Sequence, residues 1–104
     1  MTEKSDTPVL DLLASMTEDS IEASSLDAET LMLVRVAALV AVDAPAASYL
    51  LNLGAASELE IDAEQVRGVL AAVAPIVGTP RTVAAMGKMA RALAFELEVE
   101  ADEA

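Results

Sequence analysis

The sequence predicts an all-α fold, and its composition and patterning both favour this prediction. The 104 residues are 55% hydrophobic but only 2% aromatic, so Leu, Val, Ile, Met and Ala must supply the core. Such side chains favour closely packed helices over sheets that need β-branched and aromatic layers. No stretch alternates polar and apolar residues as a strand would, and apolar residues recur instead at helical spacing between helix start and stop signals. At this length we expect one helical domain, 1–104, whose core is marginal without a partner.

Composition and charge exclude several classes of function. The chain has neither cysteine nor histidine, which removes disulfides, thiol nucleophiles and the commonest general base, and we expect no metal and no cofactor. Eighteen acidic residues outnumber six basic ones, so the net charge of -12 repels nucleic acid and anionic membranes. The first residues lack the basic and apolar regions of a signal peptide, and no apolar run is long enough to span a bilayer. We therefore expect a cytoplasmic protein.

The two ends of the chain, residues 1–6 and 98–104, are polar and are predicted to be disordered. Thr7 precedes a proline, which is typical of the start of a helix. The apolar residues that follow predict a short helix ending near Ser15, and Thr17–Ala23 can form another turn or two.

The next helix is predicted to run from Ala28 to about Val42, with Asp27 as its N-terminal cap. It is apolar on every face except at Arg35. A helix that is apolar all round must be covered all round, and one short chain has few helices with which to cover it. We therefore expect part of this helix to be buried against another copy of the chain, in a homo-oligomer.

Asp43 is a natural cap for a third helix, predicted from Pro45 to about Glu58. Ser48 and Asn52 lie on one face of this helix, one turn apart. Its apolar stripe is formed by Tyr49, Leu50 and Leu53.

Two further helices complete the predicted fold. Asp62, with Gln65 three residues later, forms a capping-box pattern at the start of the fourth helix. Pro75 is expected to bend or end this helix, and Gly78 separates it from a last helix over about 80–97. The last helix is predicted to bury Val83, Met86, Ala90, Leu93 and Leu97.

The order and spacing of these pieces over residues 26–95 resemble those of the carboxymuconolactone decarboxylase family, which includes the AhpD-like alkylhydroperoxidases. The matching pieces are Leu26-Asp27 before the long apolar helix, the second helix entered across a tight turn, Asp62-Ala63-Glu64-Gln65-Val66, and Val77-Gly78-Thr79-Pro80 before the last helix. The resemblance implies a bundle of about five to six helices that assembles as a dimer, trimer or hexamer.

The peroxidase branch of that family carries two cysteines separated by two residues, a histidine four residues later, and a glutamate on the preceding helix. On this chain the resemblance places the cysteines at Pro45 and Ser48, the histidine at Asn52 and the glutamate near Leu33. All four positions depart from the pattern. Because serine and asparagine can neither form a disulfide nor titrate near neutral pH, dithiol peroxidase activity is excluded.

Four residues are candidate ligand contacts: Ser48, Asn52, Arg35 and Asp43. Ser48 and Asn52 either face solvent, bond to backbone at a helix crossing, or line a pocket. Arg35 can clamp a carboxylate or pair with an acid across a subunit contact, and Asp43 can be simply a helix cap. Tyr49 is interpreted as core. No catalytic residue is assigned, since no histidine or nearby lysine could activate Ser48.

The leading hypothesis is a non-catalytic member of the family, a pseudoenzyme that serves as an oligomeric interaction or small-molecule-binding module. The alternative is a cofactor-free decarboxylase or isomerase in which Arg35 holds a small anionic substrate and Asp43, or a glutamate within Glu58–Glu64, acts as acid or base. That alternative requires a pocket containing an acid of raised pKa. A third possibility is that the acidic ends of the chain dock onto a basic partner.

Overall fold

Five α-helices and no strand form the described part of the chain, so the predicted all-α class is confirmed. The computed structural model describes residues 5–53 and 61–93. The helices are α1 Pro8–Ala23, α2 Ala28–Ala41, α3 Ala46–Leu53, α4 Ala63–Val77 and α5 Thr79–Leu93. The predicted disorder of 98–104 lies outside the described residues, as do residues 1–4 of the predicted polar start.

The core forms around α2, which packs on α3, α4 and α5, while α5 also contacts α3 and α4. The most deeply buried side chains are those of Val40, Tyr49, Leu53, Val66 and Met89. In contrast, α1 contributes no buried residue and lies at the edge of the bundle. The described residues cover most sides of α2 but leave Val34 51% exposed. Its expected burial against another copy stays a prediction.

Two of the three predicted carboxylate caps, Asp27 and Asp62, are confirmed. The Asp27 carboxylate accepts a hydrogen bond from the Thr30 amide at 2.8 Å and so satisfies one of the free donors at the start of α2. At the start of α4, Asp62 and Gln65 exchange two hydrogen bonds of 3.0 Å between side chain and backbone. This reciprocal pair is the capping box that the sequence predicts.

The predicted break in the first helix is wrong, because α1 runs without interruption from Pro8 to Ala23. The Thr17 hydroxyl donates to the Leu13 carbonyl at 3.0 Å, within the helix. A threonine that bonds back to the preceding turn satisfies its own polar group, so it continues the helix where the pattern indicates a stop.

Pro75 is expected from the sequence to bend or end α4, but α4 continues to Val77. A proline removes one backbone donor, and the last turn is retained because Val73 and Val77 pack on the core. The helix ends instead at Gly78, whose φ of 93° lies in the region that favours glycine.

Asp43 ends α2 and does not cap α3, which corrects the sequence prediction. The Asp43 amide donates to the Val40 carbonyl at 3.1 Å, and the Ala44 amide donates to the Leu39 carbonyl at 3.0 Å. With Asp43 at a φ of 56°, this pair of bonds is a Schellman motif, in which the left-handed position is usually glycine. Aspartate is one of the few other residues that adopt this conformation readily.

Two predicted packing residues are half exposed, namely Leu50 at 55% and Val83 at 51%. Leu50 lies a quarter turn away from the buried face that Tyr49 and Leu53 share, and Val83 lies two residues before the buried Ala85. The apolar pattern identified these helices correctly but assigned too wide a face to the core.

Candidate functional site

A cavity of about 500 Å³ lies between α1, α2 and α3. Three of the four predicted site residues, Arg35, Ser48 and Asn52, line it. Its apolar wall is formed mainly by Leu10, Leu13 and Met16 of α1 and Leu51 of α3. The volume is within the usual range for small-molecule sites, which combine an apolar lining with a few polar groups.

Arg35 is the charged group that α2 contributes to this cavity. Its Nη2 donates to the Thr17 carbonyl at 3.2 Å and to the Ser20 hydroxyl at 3.0 Å, so the guanidinium attaches α1 to α2. Its Nη1 is buried and has no hydrogen-bond partner among the described residues. A buried donor without a partner costs about 1–3 kcal/mol, which a bound acceptor could recover.

Ser48 and Asn52 stand together on the α3 wall of the cavity, as their spacing predicts. The Asn52 Nδ2 donates to the Ser48 carbonyl at 2.9 Å, one turn back along the same helix. Both residues are half-buried. This bond uses one of the two amide donors of Asn52, so its other donor and its acceptor oxygen can serve a ligand.

Asp43 does not line the cavity, and its carboxylate accepts a bond from Lys88 Nζ of α5 at 3.0 Å. Lys88, and to a smaller degree Arg81, hold the pKa of the Asp43 carboxyl below its ordinary value. An acid that transfers protons near neutral pH needs a raised pKa. The structure therefore separates Asp43 from the other three candidates in position and in chemistry.

Tyr49 is core, as predicted, and its side chain has no exposed surface. Its hydroxyl is buried and without a hydrogen-bond partner among the described residues. Burial, with a contribution from the Asp43 charge, raises the pKa of Tyr49 to about 12. The phenol therefore stays neutral at physiological pH.

Sequence reasoning missed the part that α1 plays in this site. Seven residues of α1 line the cavity, including the carboxylate-bearing Glu18. The sequence contains one indication that α1 forms a wall of the cavity, because Leu10, Leu13 and Thr17 recur at helical spacing on one side of α1. The pattern did not predict the contact between Arg35 and Thr17, because these residues lie 18 positions apart in the sequence.

The described residues contain no group of three or more potential metal ligands among Asp, Glu, Cys and His. Among the helices described, none combines the length and the apolar character needed to cross a membrane.

Comparison with known proteins identifies no relative. No protein-family model, curated protein or solved structure matches this chain.

Proposed function

We propose that this protein is a non-catalytic, carboxymuconolactone decarboxylase-like module that binds a small molecule in the cavity between α1, α2 and α3. The observation that carries the proposal is the convergence of Arg35, Ser48 and Asn52 on one cavity. These residues come from two helices, and the α1 side of the cavity adds apolar residues together with the polar side chains of Thr17, Glu18 and Ser20. The chain lacks the thiols and imidazole of the peroxidase branch, so the proposal does not include dithiol redox turnover.

The ligand chemistry follows from the lining. Arg35 brings a permanent positive charge, and Leu10, Leu13 and Leu51 bring apolar surface. A small carboxylate with an apolar body fits both features, because guanidinium groups bind carboxylates through paired hydrogen bonds. Since Nη1 is covered by the protein, a carboxylate reaches it only after α1 moves away from α2. Because α1 contributes no buried residue, this movement would break few core contacts, although it would break the bonds of Arg35 to Thr17 and Ser20.

The enzymatic alternative has its cavity, but Asp43 does not supply its acid. The cavity beside Asn52 is the space that a substrate would need. The proposed acid Asp43 lies elsewhere with a lowered pKa, and Glu58 and Glu60 lie outside the described residues. The geometry therefore favours binding over acid-base catalysis.

Ligand binding is tested with hexanoate, a carboxylate with an apolar tail, and with hexanol as its uncharged counterpart. We expect hexanoate to raise the melting temperature of the protein and of Arg91→Gln, and to have little effect on Arg35→Gln. Arg91 is an exposed arginine on α5, so its replacement matches the charge change without touching the cavity. An Arg35→Gln protein that responds to hexanoate as the unaltered protein does would refute the assigned role of Arg35.

A further inference from the structure

Helix α1 is held to the other helices by one polar side chain. It contributes no buried residue, and the closely packed helix pairs all lie among α2, α3, α4 and α5. Among the described residues, the only hydrogen bonds between α1 and another helix run from Arg35 Nη2 to the Thr17 carbonyl and the Ser20 hydroxyl. If this guanidinium were released, α1 would keep only its apolar contacts.

The nitrogen that holds α1 is also needed to bind a carboxylate. A guanidinium binds a carboxylate through two parallel N–H groups, either one from each Nη or the Nε–H together with one from Nη2. Nη2 carries two N–H groups and already donates two hydrogen bonds to α1. A carboxylate bound in either arrangement therefore displaces at least one of the bonds that hold α1.

The acceptors on α1 are neutral, so a carboxylate can replace them. They are a carbonyl and a hydroxyl oxygen, and the only ion pair among the described residues joins Lys88 to Asp43. A carboxylate adds the attraction of an opposite charge to each hydrogen bond. It also supplies an acceptor for Nη1, which is buried without a partner among the described residues. The exchange of α1 for a carboxylate is therefore favourable at Arg35.

We propose that α1 is a lid over the cavity, and that a ligand carboxylate opens this lid by drawing Arg35 away from Thr17 and Ser20. The inference rests on the proposed function, since it concerns the same cavity and the same class of ligand. Residues 24–27 keep α1 attached to α2, so its release is a local opening. Ser20 lines the cavity, but on this account it competes with the ligand for Arg35.

The first test measures the affinity for hexanoate by calorimetry in Ser20→Ala. We expect this variant to bind hexanoate roughly 2- to 10-fold more tightly than the unaltered protein, because the ligand no longer has to displace the Ser20 bond. Ser15→Ala is the matched control, since Ser15 is also an exposed serine of α1 but does not line the cavity. Its affinity should be unchanged. Weaker or unchanged binding in Ser20→Ala would overturn the proposal.

The second test follows hydrogen exchange of α1 with and without saturating hexanoate. The α1 amides should exchange at least about twofold faster when the ligand is bound, because opening of the lid no longer breaks a bond to Arg35. The amides of α2 should not accelerate. Slower exchange of α1 in the complex would show that the ligand closes the lid, and equal exchange would show that the lid does not respond; either result would overturn the proposal.

The failure of the lid can be distinguished from the failure of the site. Hexanoate binding that depends on Arg35 but leaves α1 exchange unchanged would refute the lid and preserve the proposed function. Absence of hexanoate binding would refute the proposed function and the opening of the lid by a carboxylate. The attachment of α1 is then still tested without ligand, because α1 should exchange faster in Ser20→Ala than in Ser15→Ala, and equal rates would refute it.

Discussion

Lys88 Nζ lies 3.0 Å from the Asp43 carboxylate, and this ion pair joins α5 to the turn between α2 and α3. Arg81 reinforces the same junction by donating to the Ala41 carbonyl at 2.6 Å. Two basic residues of α5 thus contact the C-terminal end of α2, where the helix dipole favours positive charge. Asp43, a candidate ligand contact from the sequence, therefore serves to hold α5 against the end of α2.

Replacing Asp43 separates the two roles of this residue. Asp43→Gly loses the ion pair but is free of backbone strain at a φ of 56°, whereas Asp43→Ala loses the pair and keeps the strain. The left-handed conformation costs a residue with a β-carbon about 1–2 kcal/mol. Urea unfolding should therefore rank the glycine variant above the alanine variant by about this amount. Equal stabilities would contradict the Schellman geometry.

The ion pair also makes a pH-dependent contribution to stability. The pKa of Asp43 is lowered in the folded protein from its ordinary value of 3.8, chiefly by Lys88. The contribution is fully present above the unfolded pKa and is lost as the pH falls through the lower folded pKa. Asparagine tolerates the same backbone conformation, so the unfolding free energies of Asp43→Asn and the unaltered protein should differ by a constant amount above about pH 5, and the difference should shrink as the pH falls from about 4 through the lower folded pKa. A difference that does not change over this range would rule out the pairing.

Tyr49 can be titrated alone, since the chain contains one tyrosine and no tryptophan. Its pKa, raised to about 12 by burial, predicts almost no tyrosinate absorbance at about pH 10.5 in the folded protein, although the unfolded chain ionises near 10. Because the folded pKa is the higher one, the contribution of Tyr49 to stability is present below about pH 10 and is lost between about pH 10 and 12. Half-ionisation near pH 10 in the folded protein would show an accessible phenol.

The unpartnered hydroxyl of Tyr49 leads to a separate mutational prediction. Tyr49→Phe removes a buried polar group that bonds to nothing among the described residues. We expect the unfolding free energy to stay unchanged or to rise by up to about 1 kcal/mol. Tyr49→Leu, which leaves a void in the core, should lower it by about 1–3 kcal/mol. A phenylalanine variant destabilised as much as the leucine variant would reveal a hydrogen bond at this hydroxyl.

Hydrogen exchange should identify α1 as the least protected helix of a dilute sample. No residue of α1 is buried, whereas Leu31, Met32, Val36 and Val40 of α2 are. Local opening should therefore make α1 amides exchange at least about tenfold faster than those of α2. Equal protection of α1 and α2 in the dilute protein would contradict its peripheral packing.

The all-α class and the helix boundaries at Asp27, Asp62 and Gly78 were predictable from the sequence, because these residues act through local rules of helix capping and termination. Asp43 was misassigned because the same residue type serves both ends of helices, and only its backbone angle distinguishes the two roles. The α3 side of the cavity was predictable from the four-residue spacing of Ser48 and Asn52. The α1 side was not, because it depends on where Arg35 meets Thr17 and Ser20 in space.

The proposed function requires that Arg35 organise a ligand site in the cavity between α1, α2 and α3. The most direct measurement is an NMR titration of the protein with hexanoate. We predict saturable shifts at the amides of Arg35, Ser48, Asn52 and α1, with no comparable shifts around Ile76, and loss of this pattern in Arg35→Gln but not in Arg91→Gln. Shifts confined to other regions, or an unchanged pattern in Arg35→Gln, would contradict the claim.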